Sequence, residues 1–178
     1  ERLDYIRIEP KRILDLGCGP GSDLAAFAAR YPGTPRIAID SAPAMLAQAR
    51  GERGLLKRLM NFGKPAEPDF VCADATALPL ARGSVSLAWS NLMLQWLHDP
   101  LPALKEINRV LEVGGLLMFS TLGPDTLKEL RAALPASKSE HLHRFIDMHD
   151  FGDALVGAGF SDPVVVMGML TVTYEELV

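Results

Sequence analysis

Short apolar runs alternate along this chain with stretches whose apolar residues recur at helical spacing. The runs over 11–16, 36–40, 69–73, 85–90 and 116–121 are bounded by Gly, Pro, Asp or Ser. They read as strands buried on both faces. Between them, Leu24, Phe27 and Ala28 share one helical face, and Met45, Leu46 and Ala49 share another behind Pro43. Leu104, Ile107, Val110 and Leu111 predict a helix over 102–111, with Gly114-Gly115 as its stop. A further helix is expected over 124–134. The stretch 51–68, rich in charge, Gly and Pro, reads as a loop with a short helix. Tyr174 to Val178 resembles a first helical turn. Five strands separated by helices predict an α/β fold, doubly wound around a mostly parallel sheet.

The 178 residues suit one domain, with 48 % apolar residues for its core. The net charge of −4 and pI near 5.6 argue against non-specific nucleic-acid binding, which needs a basic face. Cys18 and Cys72 do not make a disulfide framework and are expected to be buried thiols in a reducing compartment. No 18-residue apolar run or signal peptide is present, so the expected setting is cytoplasmic, away from membranes. The chain begins shortly before its first strand and stops within a helical turn, as an ordered core of a longer protein would.

Chemistry enters at Ile13-Leu-Asp-Leu-Gly-Cys-Gly-Pro-Gly21. A strand, three close glycines and a helix form a ligand turn at a strand's C-terminal end. Gly17, Gly19 and Gly21 allow the backbone to turn sharply and approach a ligand. Ser22 is the expected cap of the next helix, with Asp23 in its first turn. The spacing departs from the dinucleotide Gly-x-Gly-x-x-Gly fingerprint. Asp15, two residues before the first glycine, would repel a pyrophosphate and attract an ammonium group. S-adenosylmethionine carries such a group and no phosphate.

Carboxylates recur at later strand ends. Asp40 is placed to accept two ribose hydroxyls, with a helix N-cap role as the alternative and Ser41 as an equal capping candidate. Asp74, in Cys72-Ala-Asp-Ala75, is placed to accept from an adenine amino group. Met45 and Leu78 suit the adenine or ribose faces, or plain core. Beyond the fourth strand, Asn91 and Gln95 are candidates to position a substrate or the cofactor carboxylate, and Trp96 is a core anchor or a site residue. No Ser-His-Asp order or activated cysteine is evident.

Asp15-Leu-Gly-Cys-Gly-Pro-Gly21, Asp40, Ala73-Asp-Ala75 and Arg109-Val-Leu-Glu-Val-Gly-Gly115 resemble the motifs of the class I S-adenosylmethionine-dependent methyltransferases, in order and across the whole chain. Glu112-Val113 stands where that family usually has Lys-Pro. The resemblance implies a Rossmann-like fold, S-adenosyl-L-methionine as cofactor, and Asp15, Gly17, Gly19, Gly21, Asp40, Ser41, Met45, Asp74, Ala75 and Asn91 as its binding residues. Asn91-Leu-Met-Leu-Gln-Trp96, Phe119 to Arg131, Phe145-Ile-Asp-Met-His149, Gly152-Asp-Ala-Leu155 and Ala158-Gly-Phe160 are similar to the biotin-synthesis branch. That branch methylates the free carboxyl of malonyl-acyl-carrier protein. The same segments resemble a complex I assembly factor that binds the cofactor without a methyltransferase role. N-terminal helices that close over the substrate in such enzymes are not in this chain.

In this fold the segment after the fifth strand, here 122–148, is expected as a lid-like insertion. It carries Lys128, Arg131, Lys138, His141, His143 and Arg144, a composition suited to a malonyl carboxylate and an acidic carrier, or to an ordinary solvated face. Arg131 and Arg144 are the substrate candidates here. His141, His143 and His149 lack the acids or cysteines of a metal site, so none is expected. A carboxylate acceptor is already a deprotonated nucleophile, so no general base is expected and alignment supplies the rate. A quinone-type phenol or carbon acceptor would call for a base, for which His98 is the candidate.

Overall fold

The structure is a computed structural model that describes residues 7–51, 67–133 and 145–171. The chain divides into two compact units, Glu1–Thr121 and Leu122–Val178.

The first unit is built on a five-stranded sheet in the order β3-β2-β1-β4-β5. The strands are β1 (Ile13–Leu16), β2 (Arg36–Asp40), β3 (Asp69–Cys72), β4 (Val85–Asn91) and β5 (Leu111–Ser120). Every neighbouring pair is parallel. β1 is wholly buried, which is why its run is apolar on both sides of the pleat except at Asp15. Helices α1 (Leu24–Arg30), α2 (Pro43–Gly51) and α3 (Leu101–Val110) follow β1, β2 and β4. Phe27 of α1 meets Trp89 of β4 edge to face, with ring centroids 5.6 Å apart. Ile13, Cys18, Leu24, Phe27, Ala38, Leu46, Leu87 and Trp89 form one buried cluster.

Three local expectations are corrected. β3 and β4 are joined by turns through 73–84 and not by a helix, so helices do not separate all the strands. Gly114-Gly115 does not stop α3. That helix ends at Val110, where Gly83 and Ser84 donate to the carbonyls of Arg109 and Val110 and Leu111 turns extended. The glycine pair lies inside β5, where the register slips: β4 advances from Val85 to Leu87 while β5 advances from Leu111 to Leu116. A Cβ on Gly115 would stand 2.9 Å from the Glu112 carbonyl oxygen, so the bulge demands glycine. Nor does Ser22 cap α1. Asp23 holds the cap position, and its carboxylate is turned to other donors described below.

In the second unit, α4 (Lys128–Ala133) is shorter than expected and buries no residue. α5 (Met148–Gly157) is capped by Asp147, whose side chain accepts from the His149 N–H at 2.8 Å. Phe151 and Leu155 are its buried face. The short helix expected within 51–68 and the final turn at Tyr174 to Val178 lie outside the described residues, as do Lys138, His141, His143 and Arg144. Among the described residues no helix is long and apolar enough to cross a membrane, and no cluster of metal-ligating side chains occurs.

Candidate cofactor site

The chain order reverses direction between β1 and β4, and a crevice opens there at the strands' carboxyl ends. It forms a cavity of about 600 Å³ whose described walls belong to the first unit. Four successive strand ends supply its polar groups: Asp15 and the glycine turn, Asp40, Asp74, and Asn91.

The glycine turn is held from two sides. Gly17 and Cys18 donate to the Ile39 carbonyl of β2 at 2.8 and 3.0 Å. Gly19 N–H donates to Asp40 Oδ2 at 2.8 Å, and Ala42 N–H donates to Asp40 Oδ1 at 2.8 Å. The Asp40 carboxylate therefore joins the glycine turn to Ala42, the residue just before α2. It fixes the turn that lines the cavity and starts α2, and each of its oxygens keeps a further lone pair. Gly19 adopts φ +52° and a Cβ there would meet nothing, so that space is left open on the cavity side. Gly21 does not line the cavity. It makes room for Leu24 and Ala49, packing that a Cβ would disturb at 2.9 and 3.3 Å.

Asp15 is 3 % exposed, and its Oδ2 has no hydrogen-bond partner. Burial, and then the charges of Asp23 and Asp40, push its pKa up to about 8. Burial and the same neighbourhood push Cys18 up to about 12, which keeps that thiol protonated and inert. Cys72, expected buried, is exposed, with its thiol on the Ser41 carbonyl.

At the third strand end, Asp74 Oδ1 accepts from both the backbone and the hydroxyl of Thr76 at 2.8 Å, which holds its pKa below the usual carboxylate range. Ala75 lines the cavity beside it, as do Ser41 and the half-exposed Met45. Leu78 is core and does not line it. The Leu78–Leu80 loop is gripped from α3: Arg109 donates to both carbonyls and to both oxygens of Glu106, which in turn accepts from Leu78 N–H.

At the end of β4, Asn91 lines the cavity, whereas Gln95, beyond it, is buried and does not line it. Asn91 donates to Asp23 at 3.1 Å and accepts from the Ser120 hydroxyl, so its amide orientation is fixed by α1 and β5. Trp96 is not a core anchor. It is 73 % exposed and lines the cavity with Leu92, Met93 and Leu97. Leu92 holds a left-handed φ of +54°, secured by its N–H bonds to the Ser120 carbonyl and hydroxyl. Asp23, read from sequence only as a first-turn acid, also lines the cavity and accepts from Trp89 Nε1 at 2.8 Å. Its place next to the glycine turn was the available signal. Arg131, in the second unit, donates to the Pro124 carbonyl at 3.2 Å.

These walls fit a nucleoside ligand with a cationic tail. The orphaned Asp15 oxygen lacks a positive partner, and the open space at Gly19 admits a close approach. No Lys, Arg or His among the described wall residues would meet a phosphate.

A doubly wound parallel sheet with a glycine turn and carboxylates at its strand ends defines a protein of the α/β class with a crevice at the carboxyl ends of its strands. Residues 14–119 match the family described as methyltransferase domain, and the chain belongs to it. The chain is 48 % identical over 181 residues to the malonyl-[acyl-carrier protein] O-methyltransferase of Methylovorus sp., covering 99 % of this chain and 59 % of that protein. It is 49 % identical to the protein of the same name from Laribacter hongkongensis, again covering 99 % and 59 %. The chain thus spans about 59 % of the length of the curated relatives it matches. An S-adenosylmethionine-dependent methyltransferase structure from Mesorhizobium loti shares the fold at a TM-score of 0.69 and 23 % identity, covering 90 % of this chain and 78 % of that one.

Proposed function

We propose that this chain is the cofactor-binding core of an S-adenosyl-L-methionine-dependent methyltransferase that O-methylates the free carboxyl of malonyl-acyl-carrier protein, or of malonyl-CoA, as in biotin synthesis. The observation that carries the reading is identity of 48 % over 99 % of the chain to relatives named for that reaction. The cavity supports it in three respects. Asp15 offers a buried carboxyl to the cofactor ammonium, Asp40 offers acceptors to the ribose hydroxyls, and Asp74 with Ala75 and Met45 offers an adenine niche. Ser41 and Asn91 complete its polar wall.

When bound, S-adenosylmethionine supplies a methyl carbon that passes to an acceptor oxygen as its bond to sulfur breaks. The protein's task is alignment and exclusion of water. The apolar wall of Leu92, Met93, Trp96 and Leu97 serves the second, and the fixed amide of Asn91 serves the first. The described walls contain no His or Lys, and His98 is not among them. A carboxylate acceptor needs no base, which favours it over a phenol or carbon acceptor.

The test is transfer of labelled methyl from the cofactor by the full chain to malonyl-acyl-carrier protein, beside malonyl-CoA and a quinone precursor. Label on a malonyl thioester alone is the expected result. Label on the quinone precursor alone, or cofactor binding with no transfer to any acceptor, would remove the reading.

A further inference from the structure

The loop that brings Asp74 and Ala75 to the cavity has no helix of its own. It joins β3 to β4 through turns over 73–84, so its shape depends on what grips it from outside. At its start, Ala73 N–H donates to the Asp40 carbonyl at 3.2 Å. Along its middle the grip comes from α3. Arg109 donates to the Leu78 carbonyl at 2.9 Å and to the Leu80 carbonyl at 2.8 Å, and Glu106 accepts from Leu78 N–H at 2.8 Å. Glu106 and Arg109 stand one turn apart on α3 and are joined by hydrogen bonds of 2.7 and 2.8 Å. Those bonds hold the Glu106 carboxyl below the usual carboxylate range, so the pair is charged near neutrality. Neither side chain lines the cavity. A short relay stands between the gripped residues and the ligand space. Ala77 N–H donates to the Asp74 carbonyl at 3.1 Å, and Thr76 donates to Asp74 Oδ1 through both its backbone and its hydroxyl. Asp74 thus has one oxygen fixed by its own loop and keeps Oδ2 for a ligand.

We propose that the Glu106–Arg109 pair of α3, outside the cavity, positions Asp74 for adenine recognition by gripping Leu78 and Leu80, and so sets the preference for a 6-amino purine base. This rests on the adenine niche of the reading above and deepens it. An acceptor selects an amino group only where its lone pair meets that group's N–H, and a hydrogen bond weakens steeply with misalignment. Fixing a loop without regular structure costs conformational entropy, and the bonds from α3 to Leu78 and Leu80 work against that cost. Glu106 and Arg109 are positioning residues: they touch no ligand and act through the loop.

The test measures, by calorimetry on the full chain, affinity for S-adenosylhomocysteine and for S-inosylhomocysteine, whose base carries a carbonyl oxygen where adenine carries its amino group. The parent should prefer the adenosyl ligand about tenfold or more, because a carboxylate acceptor meets a donor in one and another lone pair in the other. Asp74→Ala should erase that preference. Arg109→Met keeps the length of the side chain without its donors, and should cut the preference to about threefold or less. On the Asp74→Ala background the same change should leave the ratio of affinities where it is, because the pair acts through Asp74. Glu106→Gln is the milder variant, read where Arg109→Met does not fold, and should lower the preference in the same direction. A purely structural role would weaken both ligands equally and leave their ratio alone. An unchanged preference in folded Arg109→Met or Glu106→Gln, even with a lowered melting temperature, would overturn the proposal and leave the adenine niche intact. A parent with no preference, or a preference that survives in Asp74→Ala, would instead take adenine recognition away from Asp74 and remove this inference with it.

Discussion

A carboxyl group that is 3 % exposed and has one oxygen without a partner titrates unlike a surface aspartate. Asp15 has its pKa raised from 3.8 to about 8, so ionising it costs free energy that the unfolded chain does not incur. Its contribution to stability is complete below 3.8 and is lost as pH rises through about 8. The ligand-free protein should therefore lose stability across that window, at up to about 1.4 kcal/mol per pH unit from this group. Asp15→Asn should remove that slope in denaturant titrations and be the more stable form at the alkaline end. A cationic ligand on Asp15 reverses the balance. Cofactor binding near neutrality should release about one proton, read as buffer-dependent binding enthalpy, and Asp15→Asn should abolish the release. Asp40 gives a second test. It was legible as a carboxylate at a strand end, but its bonds to Gly19 and Ala42 were not, because backbone donors leave no mark in side-chain pattern. Asp40→Ala should weaken cofactor binding by about 2 kcal/mol or more and also lower the melting temperature, since two backbone N–H groups lose a charged acceptor. Unchanged affinity in the folded variant would take Asp40 out of the site. Gly19→Val should abolish binding by filling the open space.

At the scale of elements, strand and helix positions were legible because β1, β2, β4 and α3 combine apolar period with turn residues at their ends. Events decided by partners distant in sequence were not. The end of α3 is set by Gly83 and Ser84, and the glycine pair expected to stop it serves the β5 bulge instead. Gly115→Ala should cost about 1–3 kcal/mol in unfolding experiments, because its Cβ would stand 3.2 Å from the Ser86 carbonyl oxygen as well as against Glu112. The Arg109 fork was likewise visible only as part of a motif. Its contacts with the Leu78 and Leu80 carbonyls tie α3 to the loop that follows Asp74, while its two bonds to Glu106 lie within α3. Arg109→Ala should destabilise by about 1–3 kcal/mol and speed amide exchange at Ala77 and Leu80. Arg109→Lys should rescue little, since an ammonium cannot reproduce the fork.

For the whole molecule, the described walls of the cavity come from Glu1–Thr121, and none of those described wall residues is a cation. A malonyl carboxylate and an acidic carrier need positive partners, so under the proposed reaction these must come from elsewhere in the protein. Lys128 and Arg131 in the second unit are candidates within the described residues, and Arg144 lies outside them. Arg131 is partly engaged, donating to Pro124, which limits what its loss can mean. Arg131→Ala and Arg144→Ala should raise the apparent KM for malonyl-acyl-carrier protein several-fold while leaving cofactor affinity unchanged. Salt separates the two ways this can arise. A residue that steers the carrier acts through exposed charges, so raising ionic strength should erase the difference between variant and parent. A residue that grips the malonyl carboxylate acts in a drier setting, and its defect should persist in salt and extend to malonyl-pantetheine, which has no carrier. Equal KM values for variant and parent on both substrates would move the anion-binding role away from these arginines, to Lys128 or another cation.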